Sequence, residues 1–181
     1  PGIYFNGSLT ENERMTNAAV SITSSTLTWG IVCKLDATQL RSSGRIACFK
    51  TNDRAQEWDS PLSLITLRYE AAPSPRVIME RSGSYLEFGA ADTDAHIYVA
   101  VMDGTKIRGY RDGVYVGELN FTGALSSEHS AYGGSYSTGF NAAATLGEYV
   151  VFSGAASDTE RQVIEGYLRA GAPTATSLVT G

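Results

Sequence analysis

Two Asp-Gly pairs, at positions 103–104 and 112–113, constrain the fold of this chain more than any other feature of the sequence. An alternating run of residues precedes the first pair. A further short segment follows each pair, so that the whole stretch covers residues 96–119. Asp-Gly accepts the positive φ that a two-residue type I′ turn requires at both central positions. The stretch therefore predicts a three-stranded antiparallel meander, and closing its second turn at 112–113 pairs Tyr110 with Tyr115.

Period-two alternation predicts further strands around this meander. Leu27, Trp29 and Ile31 occupy alternate positions in residues 27–35, as in a strand with one face on a core. Shorter strands are predicted at residues 3–7, 18–22, 44–50, 64–69, 76–81, 84–89 and 146–152. The polar segments 8–17, 51–62 and 126–140 are predicted to be loops.

One segment, residues 157–168, has a strong helix pattern. Ser157 and Glu160 have the spacing of a capping box, and Gly171 ends the pattern. Four side chains are predicted to form a single apolar stripe: Val163, Ile164, Tyr167 and Leu168. The sequence therefore predicts a C-terminal amphipathic helix that packs on the strands.

The length of 181 residues suits one all-β domain, which we assign to residues 1–172, with 173–181 as a polar tail or linker. The net charge of -5 and the scattered basic residues argue against nucleic acid as a partner. The sequence contains no apolar run long enough for a membrane span, and its start does not resemble a signal peptide. Because the chain begins at Pro1 without an initiator Met, we expect it to be a processed product or part of a longer protein.

The two cysteines are too few for a disulfide framework, but their positions suggest one pairing. If residues 26–36 and 44–50 form a hairpin closed around 39–42, Cys33 lies opposite Cys48. Cross-strand neighbours are slightly too far apart for a disulfide without local adjustment. Two buried thiols that act as small apolar side chains are the favoured alternative.

The order of these elements is similar to that in the concanavalin A-like, laminin-G-like family of lectin-type sandwiches, in its bacterial or phage form. The resemblance lies in residues 96–104, 110–117, 146–152 and 156–168. It implies an all-β fold, a two-sheet antiparallel jelly-roll sandwich with one C-terminal helix. It further implies recognition of glycans or proteins rather than catalysis, with Ca²⁺ in a subset of members. In this chain Gly171 ends the helix earlier than the related pattern does.

The candidate ligand-binding residues come mainly from the glycine- and tyrosine-rich segment 126–140 and its end. They are Glu128, His129, Tyr132, Tyr136 and Asn141. Sugars stack on aromatic rings and exchange hydrogen bonds with polar side chains, and this segment offers both. An ordinary surface loop explains the same composition equally well. Trp58, in a charged loop, is a further candidate, although an anchor at the edge of the core is its favoured role.

Metal binding and catalysis have weaker support in the sequence. Asp92 and Asp94 could supply two oxygens to Ca²⁺, with Asp103, Asp112 or Asn120 nearby, but a calcium site takes about six to eight. A polar turn is therefore the favoured explanation, and no cofactor is expected. The paired carboxylates of a glycosidase strand and the G-x-S-x-G elbow of a serine hydrolase are both missing from the sequence.

Together these patterns predict a protein that binds a ligand without transforming it. The first hypothesis is a carbohydrate-binding or adhesion module of an extracellular cell-surface or phage virion protein, with a glycan or surface polysaccharide as its partner. The alternative is a structural virion component, such as a decoration, fibre or tail protein, that contacts other virion or surface proteins, with oligomerisation left open. A degenerate glycosidase using Glu57 is a third, weaker hypothesis.

Overall fold

The computed structural model describes residues 3–6, 15–17, 22–36, 44–50, 65–70, 75–81, 84–127, 129–132 and 142–172. These residues form short strands and one C-terminal helix. The strands are β1 Ile3–Asn6, β2 Met15–Asn17, β3 Ile22–Ser24, β4 Thr26–Leu35, β5 Gly44–Lys50, β6 Ile65–Glu70, β7 Arg76–Arg81, β8 Ser84–Ala90, β9 Ala95–Asp103, β10 Lys106–Arg111, β11 Val114–Asn120, β12 Leu125–Ser127, β13 His129–Tyr132 and β14 Ala143–Ser153. The helix is α1, Asp158–Ala170.

Two six-stranded antiparallel sheets make up the described structure. Sheet A has the order β1-β14-β4-β9-β10-β11, and sheet B has the order β2-β13-β5-β6-β7-β8. A small two-stranded sheet joins β12 to β3. The predicted fold class, a two-sheet antiparallel jelly-roll sandwich with one C-terminal helix, is confirmed. No helix in the described part of the chain has the length and apolar character needed to cross a membrane.

The main core lies between the two sheets. Strand β4 contributes alternate residues to it, including Trp29 and Ile31 as the period-two pattern predicted. Sheet B contributes Leu67, Met79 and Phe88, all essentially inaccessible to solvent. Alternation along each strand therefore determines which side chains remain on the outer face of each sheet.

Helix α1 covers the outer face of sheet A. Leu168 packs with Val32, Val99 and Val101 in a second apolar cluster. A Cβ atom at Gly30 would lie 2.8 Å from a methyl carbon of Leu168, so the glycine lets the helix approach the sheet closely. The predicted capping box is present, since Ser157 and Glu160 hold each other's backbone amides. The chain's own helix thus covers the outer face of sheet A at its central strands β14, β4 and β9.

The apolar stripe predicted for α1 was only partly correct. Leu168 and Ile164 face the sheet, but Val163 and Tyr167 are 69% and 55% exposed. The other buried helix residues are Arg161 and Glu165, whose side chains are each 7% exposed and whose Nη1 and Oε1 atoms are 2.5 Å apart. The Arg161 guanidinium also lies 4.1 Å from the centre of the Tyr110 ring. The ion pair of Arg161 and Glu165, one helical turn apart, is therefore buried against sheet A, where the pattern predicted Val163 and Tyr167.

The two Asp-Gly turns differ from each other. At the second, Asp112 and Gly113 both have positive φ, 53° and 87°, and Tyr110 pairs with Tyr115 as predicted. At the first, the strands flank residues 104–105, and only Gly104 has positive φ. The Asp103 carboxylate instead accepts hydrogen bonds from the next two amides beyond the glycine, at 3.0 and 2.9 Å. Asp103 therefore acts as a cap of this turn rather than as its first central residue.

The predicted hairpin between β4 and β5 was wrong. β4 lies between β14 and β9 in sheet A, whereas β5 lies between β13 and β6 in sheet B. Cys33 consequently faces His96 and Leu146 in register, and not Cys48, and it is a free buried thiol. The connection crosses from one sheet to the other, and a polar link between two strands looks the same in sequence whether it closes a hairpin or crosses over. The predicted turn, residues 39–42, lies outside the described residues.

Polar composition also concealed three short strands. The segment predicted as a loop at 126–140 includes most of β12 and all of β13, and the one at 8–17 includes β2. The strand predicted at 18–22 begins only at Ile22, and residues 18–21 lie outside the described part. These strands form through hydrogen bonds to distant partners: β13 pairs with β2 and β5, and β12 with β3. Long-range pairing, which local composition does not report, overrides weak strand propensity.

Candidate functional site

The outer face of sheet B carries an exposed tyrosine beside a fixed arginine. Because Leu86 and Phe88 of β8 face the core, Tyr85 and Glu87 lie on the opposite face of the same strand. Tyr85 is 51% exposed, although its backbone is paired in the sheet with Glu80 of β7. An aromatic ring on a rigid strand offers a binding surface at little cost in conformational entropy.

Arg76, at the start of β7, is held from both sides. Its Nε donates to Glu70 Oε2 of β6 at 2.7 Å, and its Nη1 donates to Glu87 Oε2 of β8 at 3.0 Å. The hydrogen bond to Glu70 is the main cause that raises the pKa of Arg76 above its usual range. The guanidinium carbon lies 5.0 Å from the centre of the Tyr85 ring, a cation–π distance. We call Tyr85, Arg76, Glu70 and Glu87 the Tyr85 platform.

The Tyr85 platform offers three kinds of contact within one small surface. The ring can stack on an apolar face of a ligand, the guanidinium can donate hydrogen bonds, and the carboxylates can accept them. The side chains of Arg76 and Glu87 are 30% and 48% exposed, so both reach solvent. A ligand with apolar faces and many hydroxyl groups fits this combination.

A second polar cluster lies at the end of sheet A, around His96. The imidazole Nδ1 is 2.6 Å from Asp112 Oδ2, and Nε2 is 2.7 Å from Asp92 Oδ1. Asp112 also accepts a hydrogen bond from the Ile97 amide at 2.9 Å, and Arg111 Nη2 donates to Asp92 Oδ2 at 2.7 Å. We call His96, Asp92, Asp112 and Arg111 the His96 cluster.

The His96 cluster ties the edges of the two sheets together. Arg111 is on β10 of sheet A, and its Nη1 donates to the carbonyl of Ala90 at 2.6 Å, at the end of β8. β8 is the last strand of sheet B, so this guanidinium covers part of an otherwise open edge. Its side chain is only 15% exposed. The partners of these charges lie within the protein, which indicates a structural role.

The carboxyl of Asp92 shows the effect of this cluster on acidity. Burial alone would raise its pKa, but hydrogen bonds from the Asp94 amide and His96, with the charges of His96 and Arg111, lower the pKa below its usual range. Asp92 and Asp112, two of the candidate calcium ligands, are therefore brought to opposite sides of one imidazole. Within the described residues no group of three or more His, Cys, Asp or Glu side chains could hold a metal ion.

The residues predicted to bind ligand are only partly within the described structure. His129 and Tyr132 lie on β13 of sheet B, where their register partners are Lys50 and Ala47. Glu128, Tyr136, Asn141 and Trp58 lie outside the described residues. Sheet B therefore holds both His129 and Tyr132 and the Tyr85 platform.

Sequence reasoning missed the Tyr85 platform, although part of its signal was present. The alternation of Leu86 and Phe88 with Tyr85 and Glu87 in the predicted strand 84–89 separates a core face from an outer face. That pattern could have indicated an exposed tyrosine. Its contact with Arg76 and the clamp from Glu70 depend on which strands pair, which the pattern does not contain.

Several solved structures share this architecture. A native heptameric SAP-like pentraxin from Limulus polyphemus matches with a TM-score of 0.65 and 14% identity, over 91% of this chain and 81% of that one. Domain 4 of AbnA, an extracellular GH43 arabinanase from Geobacillus stearothermophilus solved with arabinotriose, matches with a TM-score of 0.59 and 13% identity, over 91% and 88%.

The CBM40 domain of the Ruminococcus gnavus IT-sialidase, bound to α2,3-sialyllactose, matches with a TM-score of 0.55 and 11% identity, over 84% of this chain and 98% of that one. No protein-family model matches the sequence, and no curated protein matches it at a significant level. At identities this low, the likeness establishes a shared lectin-like β-sandwich fold.

Proposed function

We propose that this protein is a non-catalytic carbohydrate-binding module of an extracellular protein, and that its glycan binds on the outer face of sheet B. The observation that carries the proposal is the Tyr85 platform: an exposed tyrosine ring held beside an arginine that two carboxylates fix. The fold gives secondary support, because two solved neighbours contain arabinotriose and α2,3-sialyllactose.

The arrangement of charge favours binding over hydrolysis. A glycosidase needs one carboxyl group that stays protonated to act as the general acid. Glu70 and Glu87 instead both accept hydrogen bonds from the Arg76 guanidinium, so each carboxylate is engaged in fixing that side chain. They suit the orientation of sugar hydroxyls. The proposed contribution of Glu128, His129, Tyr132, Tyr136, Asn141 and Trp58 to glycan binding rests on the sequence alone.

The test is a glycan array followed by calorimetric titration of the best ligands. Tyr85→Ala removes the ring and should weaken binding at least about tenfold, which corresponds to about 1.4 kcal/mol. Tyr115→Ala is the matched control, because Tyr115 is also 51% exposed but lies on the hairpin of sheet A. Equal losses in the two variants, or no loss in either, would contradict the proposed site.

A second pair of variants separates the platform from the rest of the sheet. Tyr132→Ala and Tyr136→Ala test the segment that the sequence favoured. If they abolish binding while Tyr85→Ala does not, the glycan binds at that segment and the Tyr85 platform is not the site. Failure of the folded protein to bind any glycan on a broad array would contradict the function itself.

The setting of the module stays a prediction. A cell-surface or phage virion protein, as the sequence favours, would carry it outside the cell. The alternative of a structural virion component that contacts other proteins predicts particle association or a stable oligomer without sugar binding. Light scattering after size-exclusion chromatography distinguishes the two.

A further inference from the structure

We infer that the Tyr85 platform selects neutral glycans and discriminates against glycans that carry carboxylate or sulfate groups. This inference rests on the proposed function and names the class of its ligand. It comes from the charges that surround the exposed ring, which the strand pairing brings together from β6, β7 and β8.

The positive charge of Arg76 is already neutralised. Glu70 lies 2.7 Å and Glu87 3.0 Å from guanidinium nitrogens, so an acidic sugar would have to compete with two carboxylates that are held in place. Arg45 lies on β5, two strands from Arg76, and it is only 2% exposed, so it cannot meet a ligand at the surface. Among the described side chains of this face, no exposed cation without a carboxylate partner is available to an anionic ligand.

The described groups around the ring carry more negative than positive charge. Glu87 is two residues beyond Tyr85 on β8, and Glu70 reaches the same guanidinium from β6. Among the described exposed side chains of the Tyr85 platform, two carboxylates therefore face one guanidinium, and the whole chain carries a net charge of -5. A carboxylate or sulfate on a bound sugar would meet like charges at short range, where their repulsion is strongest.

The same carboxylates suit a neutral sugar. Glu87 uses Oε2 to accept from Arg76, and Oε1 forms no hydrogen bond with the other described residues. Because its side chain is 48% exposed, Oε1 can accept a hydrogen bond from a sugar hydroxyl while the ring stacks on the sugar. One sugar residue with two adjacent hydroxyls could thus contact both the ring and the carboxylate.

The experiment compares each neutral probe with an acidic counterpart. Lactose is compared with α2,3-sialyllactose, and methyl-esterified with de-esterified polygalacturonate, by calorimetric titration and affinity electrophoresis at about 20 and about 300 mM NaCl. The neutral member of each pair that binds should bind at least about tenfold more tightly at low salt. The ratio should fall at high salt, since repulsion between exposed charges is screened.

Two variants test whether the platform is responsible for this selectivity. Glu87→Gln retains an acceptor oxygen but removes the charge, and it should lower the ratio of neutral to acidic binding to below about threefold at low salt. Glu118→Gln is the matched control, because Glu118 is a similarly exposed carboxylate on sheet A that pairs with Lys106. It should leave the ratio unchanged.

Tighter or equal binding of the acidic probe, or a ratio that Glu87→Gln does not alter, would overturn the inference while leaving carbohydrate binding intact. Binding to neither member of any pair on the array would instead overturn the proposed function. Binding that survives Tyr85→Ala would assign the ligand to another surface, and the inference about this platform would fail with it.

Discussion

Replacing the buried ion pair of helix α1 should have effects that are far from additive. Arg161 and Glu165 are each 7% exposed at the interface between the helix and sheet A, and removing one partner leaves the other as a buried unpaired charge. Breaking such a pair costs about 3–5 kcal/mol, whereas replacing both members with well-packed apolar residues is often neutral. Methionine is the substitution of choice, because Met, Arg and Glu have similar helix propensities and lengths.

The contacts that each side chain makes determine which single variant should lose more stability. In Glu165→Met, Arg161 keeps Asp158 at 3.6 Å and the Tyr110 ring at 4.1 Å, so we expect a loss of about 3 kcal/mol in the free energy of unfolding. Arg161→Met leaves the Glu165 carboxylate without its guanidinium and also removes the cation–π contact, so we expect about 4–5 kcal/mol. The double variant should lie within about 1 kcal/mol of the parent protein.

Urea denaturation followed by tryptophan fluorescence, to which buried Trp29 contributes, measures these free energies. The single losses sum to about 7–8 kcal/mol, so a double variant close to the parent requires a coupling energy of roughly 6 kcal/mol. Asp158→Asn is the control, because Asp158 is 81% exposed and should change stability by less than about 0.5 kcal/mol. A double variant whose loss equals the sum of the single losses would refute the account of the pair.

Three further predictions concern acidity, thiol reactivity and close approach. Because the pKa of Asp92 is lowered in the folded protein, its carboxylate stabilises the fold above the unfolded pKa of about 3.9, and this stabilisation is lost as pH falls through the folded value. In Asp92→Asn the free energy of unfolding should therefore fall less steeply with decreasing pH than in the parent protein, and an unchanged slope would contradict this. Burial raises the pKa of Cys33 to about 12, so in a Cys48→Ser variant the Cys33 thiol should react with thiol reagents at pH 8 only after the protein unfolds. Rapid labelling of the native protein would contradict this. A Cβ at Gly109 would lie 2.5 Å from a leucine methyl of β8, so Gly109→Ala should lower the free energy of unfolding by about 1–3 kcal/mol. Gly166 has open space around it, so Gly166→Ala should leave the free energy of unfolding unchanged or raise it by up to about 1 kcal/mol, and thermal denaturation that ranks the two variants the other way would contradict the close approach of the sheets.

Local chemistry made the meander and the helix ends predictable from sequence. The turn at 112–113 requires positive φ at two adjacent residues, which Asp-Gly accepts, and this alone aligned Tyr110 with Tyr115. The capping box at Ser157 is likewise made by residues within one turn of each other. At the first Asp-Gly pair the same rule failed, because the Asp103 carboxylate bonded to two amides beyond the glycine and moved the turn by one residue.

The candidate site needed the tertiary structure. The sequence indicated that a strand would contain Tyr85, but not that Arg76 and Glu70 would come from paired strands to hold a cation beside its ring. The segment 126–140 looked like a binding loop, and its first part proved to be paired strand, because β5 supplies hydrogen bonds from far along the chain. The composition of a segment does not report which strands it pairs with, and strand pairing decides which of its side chains are exposed.

By itself, the sequence determined the class of the fold, the positions of most strands and the ends of the helix. Each of these follows from alternation and from φ preferences within a few residues. Only the tertiary structure decided that Cys33 and Cys48 lie in different sheets and that α1 buries Arg161 and Glu165 rather than Val163 and Tyr167. Burial and strand pairing are properties of the whole assembled sandwich, since the free energy of covering a face depends on residues that are distant in sequence.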